Sequence, residues 1–367
     1  MISFELTEEQ RMIVDTVEAF ARDEIRPAAR AADEEGRVPA DLVQKIWDLG
    51  LVRTVIPEEF GGDGGQRSAV SGAVVGEALA YGDLAIAIHA LAPRLVAYPI
   101  LEMGTDEQRA RYLPAFAASE FRPAAAALME PRWDFDVLSI AATAVKSGGG
   151  YVLNGEKCYV PLAHESELVM VYASANPAAG AVDAFLVPRG CPGMTVGERE
   201  KNMGLKALPT YGLQLKDCAL GAEARLGGER GINFPRLISE AKVALASMAV
   251  GVSRAAFEYA RDYALQRRAF GEPIAAKQAI AFMLAEMAIE VDASRLLVWE
   301  AASRLDKGED AFKESYQTKN YAAAAALKIA DNAVQILGGH GYIREHPVEM
   351  WLRNARGFAA LEGLTTI

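Results

Sequence analysis

The hydrophobic pattern of the chain changes twice along its length, and the first stretch has the spacing of helices. Thr7 and Gln10 have the form of a capping box before an amphipathic segment. Thr105 and Gln108 repeat that form about one hundred residues later. We therefore predict that residues 1–123 are mainly helical.

The second stretch, residues 124–229, has the pattern of short strands separated by proline and glycine. The predicted strand segments are 143–145, 151–153, 157–160, 167–173, 184–187 and 213–215. Asn154-Gly155 predicts a tight turn between the second and third of these segments. Short strands with this punctuation favour a small barrel or sandwich.

The third stretch, residues 230–367, returns to helical spacing. Apolar residues recur every three, four or seven positions over 280–305. Two similar segments cover about 240–266 and 312–337, and a shorter one follows Pro347. Four such segments predict a helical bundle.

Together these patterns predict an α+β multidomain fold. It comprises an N-terminal helical domain (1–123), a central β-barrel or β-sandwich domain (124–229) and a C-terminal four-helix bundle (230–367). At 367 residues the chain is long enough for each part to have its own core.

Composition excludes several classes of function. A net charge of −11 argues against nucleic acid as a partner. Cys158, Cys191 and Cys218 lack metal-type spacing, so we expect free thiols and no metal site. No apolar run is long enough to span a bilayer, and the N-terminus has no secretory signal, so we expect a cytoplasmic protein without membrane insertion.

Three segments near the end of the chain resemble the signature motifs of the acyl-CoA dehydrogenase family. They are YALQRRAFGEPI at 263–274, QILGGHGY at 335–342 and WLRNARGFAALEG at 351–363. Their order and spacing match the family, and the helix–strand–helix layout matches over essentially the whole chain. The resemblance implies α,β-desaturation of an acyl-CoA with FAD, electron transfer to an electron-transfer flavoprotein, and association with other subunits.

The resemblance assigns one set of residues to the adenosine half and pyrophosphate of FAD. These residues are Arg267, Phe270, Gln278, Gln335, Gly338 and Gly339. In the family the matching arginine lies against the pyrophosphate of a neighbouring subunit's flavin, where a guanidinium fork suits phosphate oxygens. From the residues alone, Arg267 could also be a solvated arginine at a helix end, and Gly338 a helix cap.

Glu362 matches the family's catalytic base. The α-proton of a thioester is very weakly acidic, so a carboxylate must lie within hydrogen-bond reach of it. The apolar residues 358–361 before Glu362 predict a water-poor setting, and Gly363 would line the thioester site. Some family members carry the base on the first bundle helix instead, but the matching residue here is Ala241. Lys242 replaces an arginine that the family places near the CoA or substrate.

The central domain departs from the family pattern where it would contact the flavin ring and the acyl site. Met129 replaces a threonine, and Phe135 replaces a serine. Tyr159, Val160 and Pro161 replace a Trp-Ile-Thr strand, and neither Met129 nor Pro161 offers a side-chain hydroxyl.

These departures leave two explanations open. The chain is an active acyl-CoA dehydrogenase with altered flavin contacts, or it is a flavin-poor structural subunit of a heteromeric complex. In the second case it would lend its adenosine-side residues to the FAD of a paralogous partner. A third class, a related flavin oxygenase, is disfavoured because such relatives typically lack the glutamate that Glu362 matches.

Overall fold

A computed structural model describes residues 5–176 and 181–367, without the side chain of Asn176. Helices dominate up to residue 116: α1 (Glu8–Phe20), α2 (Arg26–Glu35), α3 (Ala40–Asp48), α4 (Ala69–Gly82), α5 (Leu84–Leu91), α6 (Arg94–Met103) and α7 (Asp106–Phe116). A π-helical turn, Ala21–Ile25, joins α1 to α2. Both predicted capping boxes are confirmed, because Thr7 and Thr105 each exchange hydrogen bonds with the glutamine three residues later.

The described central residues form one sheet of seven strands. They are β1 (Ala125–Ala127), β2 (Thr143–Ser147), β3 (Gly150–Pro161), β4 (Leu168–Asn176), β5 (Ala181–Pro188), β6 (Met194–Arg199) and β7 (Thr210–Leu220). The strand order is β1-β4-β2-β3-β7-β6, and β5 pairs with β4. Only the pairings of β4 with β1 and with β2 are parallel.

The turn predicted at Asn154-Gly155 is wrong, because these residues lie inside β3. The chain turns at Gly148 and Gly149, whose φ angles of 56° and 82° suit a two-residue hairpin. Gly155 instead lies at an irregularity in the pairing of β3 with β7. Its φ is 145°, and a Cβ atom there would lie 2.6 Å from that of Ala142, so both the backbone conformation and close packing require glycine.

The last part of the chain is helical, as predicted. Its elements are α8 (Phe234–Gln266), the short strands β8 (Arg268–Ala269) and β9 (Glu272–Pro273), α9 (Gln278–Asp306), α10 (Phe312–Leu337), α11 (Gly339–Tyr342) and α12 (Val348–Ala355). Helix α8 packs against α9, α10 and also α4. The predicted order of a helical part, a sheet and a helical bundle is confirmed.

Two apolar cores stabilise this arrangement. One joins α4, α5, α8 and α10, and the other lies between the sheet and α6. Among the described residues no single helix has the length and apolar character to cross a membrane, although the bent pair α5–α6 meets both criteria when taken together.

Candidate active site

Glu362 lies in the segment after α12, and two lysines from different helices contact its carboxylate. Lys242 Nζ, from α8, donates to Oε1 at 2.7 Å, and Lys319 Nζ, from α10, donates to the same oxygen at 3.0 Å. Both lysine side chains are 3% exposed, whereas that of Glu362 is 15% exposed. Glu362 is therefore not in the purely apolar setting that residues 358–361 predicted.

Each ammonium group has a second partner besides Glu362. Lys242 Nζ lies 3.9 Å from the centre of the Tyr316 ring, and Lys319 Nζ donates to the carbonyl oxygen of Ala359 at 3.3 Å. Burial lowers the pKa of Lys242, although the nearby carboxylate of Glu362 acts in the opposite direction. Buried ammonium groups are costly without such partners.

The carboxylate of Glu362 faces a cleft of about 700 Å³. Met129, Phe135, Tyr159 and Lys242 line this cleft. Clefts of this size hold small-molecule ligands and cofactors in other proteins. The backbone N–H of Glu362 donates to Met129 Sδ at 3.3 Å. A thioether sulfur is a weak hydrogen-bond acceptor, so this N–H can donate instead to a stronger acceptor of a bound ligand.

A buried ion pair fixes the loop that forms one wall of the cleft. Lys157 Nζ lies 2.9 Å from Glu130 Oε1, and the Glu130 carboxylate also accepts the backbone N–H groups of Ala141 and Ala142 at 2.8 Å each. Burial lowers the pKa of Lys157 to about 8, against the opposing effect of Glu130. Breaking this ion pair would leave an uncompensated buried charge, which is strongly destabilising. The pair therefore holds Met129 and its neighbours in place.

A second, much smaller cavity of about 20 Å³ lies beside Gly363. Its walls include Leu128, Tyr172 and Ile238. Gly363 has a φ of 64°, and a Cβ atom there would lie 2.5 Å from Leu128 Cδ2. The backbone conformation and the lack of space both require glycine at this position.

The central-domain residues predicted to contact the flavin divide into two groups. Met129 and Tyr159 line the cleft, whereas Val160 and Pro161 are buried and do not. Tyr159 has a φ of 51°, and its N–H donates to the carboxylate of Glu200 at 3.1 and 3.2 Å. The backbone N–H of Tyr159, next to Val160, therefore already has the Glu200 carboxylate as its acceptor.

The residues predicted for the adenosine half of FAD are exposed, and none of them lines the cleft. Their side chains or backbones are exposed at the ends of α8 and α10 and the start of α9: Arg267, Phe270, Gln278, Gln335, Gly338 and Gly339. The phenyl ring of Phe270 is 96% exposed. A hydrogen bond of 2.9 Å between the Tyr263 hydroxyl and His340 Nδ1 connects the end of α8 to the chain just after α10.

Sequence reasoning missed Lys319, Tyr316 and Lys157. Lys319 carried a usable signal, because it lies on the same helical face as Ser315, Ala322 and Ala326, all of them buried. A lysine within an otherwise small, buried stripe indicates a buried partner of opposite charge. Nothing in the local sequence identified that partner as Glu362.

Models of one protein family match three successive parts of the chain. The acyl-CoA dehydrogenase N-terminal domain matches residues 7–120, the middle domain 125–218 and the C-terminal domain 235–367. A Bacillus subtilis (strain 168) acyl-CoA dehydrogenase is 36% identical over 373 residues, covering 99% of this chain and 96% of the relative.

Two further relatives bear names that specify a substrate. The mitochondrial short-chain specific acyl-CoA dehydrogenase of Bos taurus is 36% identical over 371 residues, covering 100% of this chain and 89% of the relative. The structure of butyryl-CoA dehydrogenase from Megasphaera elsdenii superposes with a TM-score of 0.89 at 28% identity. It covers 100% of this chain and 96% of that one.

Proposed function

Since the chain belongs to the acyl-CoA dehydrogenase family of FAD-dependent oxidoreductases, we propose that it desaturates a short-chain acyl-CoA, with Glu362 as the base. The observation that carries this proposal is the half-buried Glu362 carboxylate in the wall of a cleft large enough for a flavin ring and a thioester. A carboxylate so placed can take an α-proton from a thioester bound in the cleft.

The residues present fit FAD. Met129 and Tyr159 would face its ring system from one wall of the cleft, where the Tyr159 ring can pack on an aromatic face. Arg267 and Gln335 would hold the pyrophosphate and adenosine of a neighbouring subunit's FAD, since they are exposed. When bound, FAD supplies an acceptor for the hydride that leaves the β-carbon of the substrate.

The backbone N–H of Glu362 would orient the substrate. Its present acceptor, Met129 Sδ, is weak, so the carbonyl oxygen of a thioester can replace it. A hydrogen bond at that oxygen stabilises the negative charge that develops there when the α-proton leaves. One residue would thus supply both the base and a donor to the group it activates.

The small cavity beside Gly363 supports a short acyl chain. At about 20 Å³ it holds roughly one water-sized group. Leu128, Tyr172 and Ile238 close it with buried side chains. The names of the short-chain specific and butyryl-CoA relatives agree with a chain of this kind.

An apolar stripe on α9 supports self-association. Phe282, Ile289 and Leu296 recur at seven-residue intervals and are 60%, 66% and 47% exposed. Regularly spaced exposed apolar side chains of this kind are typical of a helix-to-helix interface. We propose a homo-oligomer, with a paralogous subunit as the alternative partner. We also propose an electron-transfer flavoprotein as the electron acceptor, as the family resemblance implies.

A second candidate function is a flavin-poor structural subunit. Two observations favour it: Pro161 cannot donate a backbone hydrogen bond, and the N–H of Tyr159 is already taken by Glu200. Such a subunit would purify without colour. An active enzyme would purify yellow with stoichiometric FAD.

An anaerobic titration of the purified protein tests the proposed function. Butyryl-, octanoyl- and palmitoyl-CoA would be added in turn while the flavin absorbance is followed. We expect butyryl-CoA to bleach the flavin fully and palmitoyl-CoA to leave it oxidised. Bleaching by palmitoyl-CoA alone would refute the short-chain assignment, and no bleaching by any thioester would refute desaturation by this chain.

A further inference from the structure

We propose that Lys319 is a positioning residue that, together with Lys242, holds Oε1 of Glu362 so that Oε2 receives the α-proton. This inference rests on the proposed function, because it takes Glu362 as the base. Lys319 lies outside the three segments that resemble the family's motifs, and the two oxygens of the Glu362 carboxylate would have different roles.

The hydrogen bonds at Glu362 are one-sided. Both ammonium groups donate to Oε1, at 2.7 and 3.0 Å, whereas Oε2 accepts no hydrogen bond from any described residue. Two donors from different directions fix both the position and the rotation of a carboxylate better than one donor can. The unbonded oxygen keeps its lone pairs for a proton from the substrate.

The two lysines approach from different sides. Lys242 lines the cleft, whereas Lys319 does not, although both are almost fully buried. Lys319 also donates to the carbonyl oxygen of Ala359, three residues before Glu362. It therefore attaches the backbone that leads to the base, as well as the base itself, to α10.

Charge neutrality alone does not explain this arrangement. One ammonium group would balance the Glu362 carboxylate, and burying a second without a counterion is costly. The second partner of each lysine offsets the free-energy cost of burying its ammonium group. When Glu362 takes a proton, Lys242 keeps the face of Tyr316 and Lys319 keeps the Ala359 carbonyl. Both ammonium groups thus remain solvated by the protein after proton transfer.

The main test replaces Lys319 by methionine, which keeps a similar length and removes the ammonium group. We expect kcat for butyryl-CoA to fall by about 10–100-fold, since a base misplaced by about 1 Å can cost that much. The KM and the FAD content should stay near the wild-type values, because Lys319 does not line the cleft. Lys319→Arg should restore a large part of kcat.

Lys328→Met is the matched control, because Lys328 lies on the same helix with a half-exposed side chain that pairs with Glu286 and Glu290. It should leave kcat unchanged. If Lys319→Met fails to fold, Lys319→Ala with added methylammonium supplies a second measurement. We expect the small cation to restore activity to the alanine variant in a concentration-dependent manner and to have no effect on wild type.

The outcomes separate this inference from the proposed function. If wild type desaturates butyryl-CoA and Lys319→Met matches it in kcat, Lys319 is not a positioning residue, although the proposed function stands. The inference is equally overturned if the drop in kcat equals the loss of bound FAD, or if neither arginine nor methylammonium restores activity. If no thioester bleaches the flavin of the wild-type protein, the proposed function is refuted, and the inference about Lys319 falls with it.

Discussion

The proposed catalytic end and the proposed adenosine end of the FAD site differ in burial. At the proposed catalytic end, Glu362 is held by two lysines whose side chains are each 3% exposed. At the adenosine end, Arg267 and Gln335 are exposed, and the Phe270 ring is 96% exposed. One end is buried, and the other presents its side chains outwards.

The difference follows from the physics of burial. A buried charge must find its partner when the chain folds, so folding itself fixes the geometry around Glu362. An exposed guanidinium or phenyl ring is tolerated in water without a partner. Its final position is determined only when a ligand or another subunit covers it. We therefore expect folding alone to position Glu362, and a ligand or another subunit to order the proposed adenosine end.

The largest effect is expected at the proposed catalytic end, where it would test the difference between the two ends most directly. Glu362→Gln should lower the rate of flavin bleaching by butyryl-CoA by about 10²–10⁴-fold or more, since an amide cannot serve as a general base. Stopped-flow absorbance measures this rate. The exposed Glu345, changed to Gln, is the control and should behave as wild type. A wild-type rate in Glu362→Gln would remove Glu362 from the mechanism.

At the adenosine end, the first test concerns Arg267. Arg267→Ala should weaken FAD binding by about 10–100-fold, because hydrogen bonds to charged groups contribute about 1.5–3 kcal/mol. Fluorescence titration of the apoprotein with FAD measures the dissociation constant. Arg268, which is exposed next to it and donates to the carbonyl oxygen of Gly271, is the matched control. Equal losses in both variants would point to general charge rather than to a phosphate contact.

The apolar stripe tests whether the outward-facing end depends on assembly. Ile289→Glu should weaken subunit association by at least about tenfold, because burying an isoleucine contributes about 1.5–3 kcal/mol. Analytical ultracentrifugation measures association, and FAD content should fall with it. Val145, 57% exposed on β2, receives the same change as a control. Intact FAD binding in a dissociated protein would show that each chain holds its cofactor alone.

The smallest effect is expected for Tyr316, which lines the cleft. The hydroxyl of Tyr316 is buried without a hydrogen-bond partner, and burial raises the pKa of Tyr316 to about 12. As a neutral donor it can bind a polar group of the substrate, so Tyr316→Phe should lower kcat/KM by about 2–10-fold. Tyr321→Phe on the same helix is the control, since that hydroxyl bonds Glu290 at the surface. An unchanged kcat/KM would show that the substrate does not reach this hydroxyl.

Features governed by local rules were predicted well. The segment 312–337 was predicted from its spacing and is α10 with the same bounds. The chain carries two turn signals six residues apart, at Gly148-Gly149 and at Asn154-Gly155, and only the first is a turn. Local propensity marks both pairs as turns, and the pairing of β3 with β2 and β7 excludes the second.

In the candidate site, too, the local feature was predicted and the distant contacts were not. Glu362 was singled out as a candidate because it lies in the contiguous segment 351–363. The ion pair of Glu362 with Lys319 was missed because 43 positions separate the two residues. Lys242 was assigned to the CoA or substrate, and the structure gives it the carboxylate of Glu362 as its partner. Partners distant in sequence are determined by helix packing, which no single segment encodes.

The crowded backbone at Gly363 limits how this enzyme could acquire a different substrate range. With a φ of 64° and Leu128 Cδ2 only 2.5 Å from any added Cβ, position 363 tolerates no side chain. If acyl groups bind in this cavity as proposed, changes that admit longer or branched ones would occur at other lining residues, such as Tyr172 or Ile238. The residue next to the proposed base would stay glycine while its neighbours across the cavity vary.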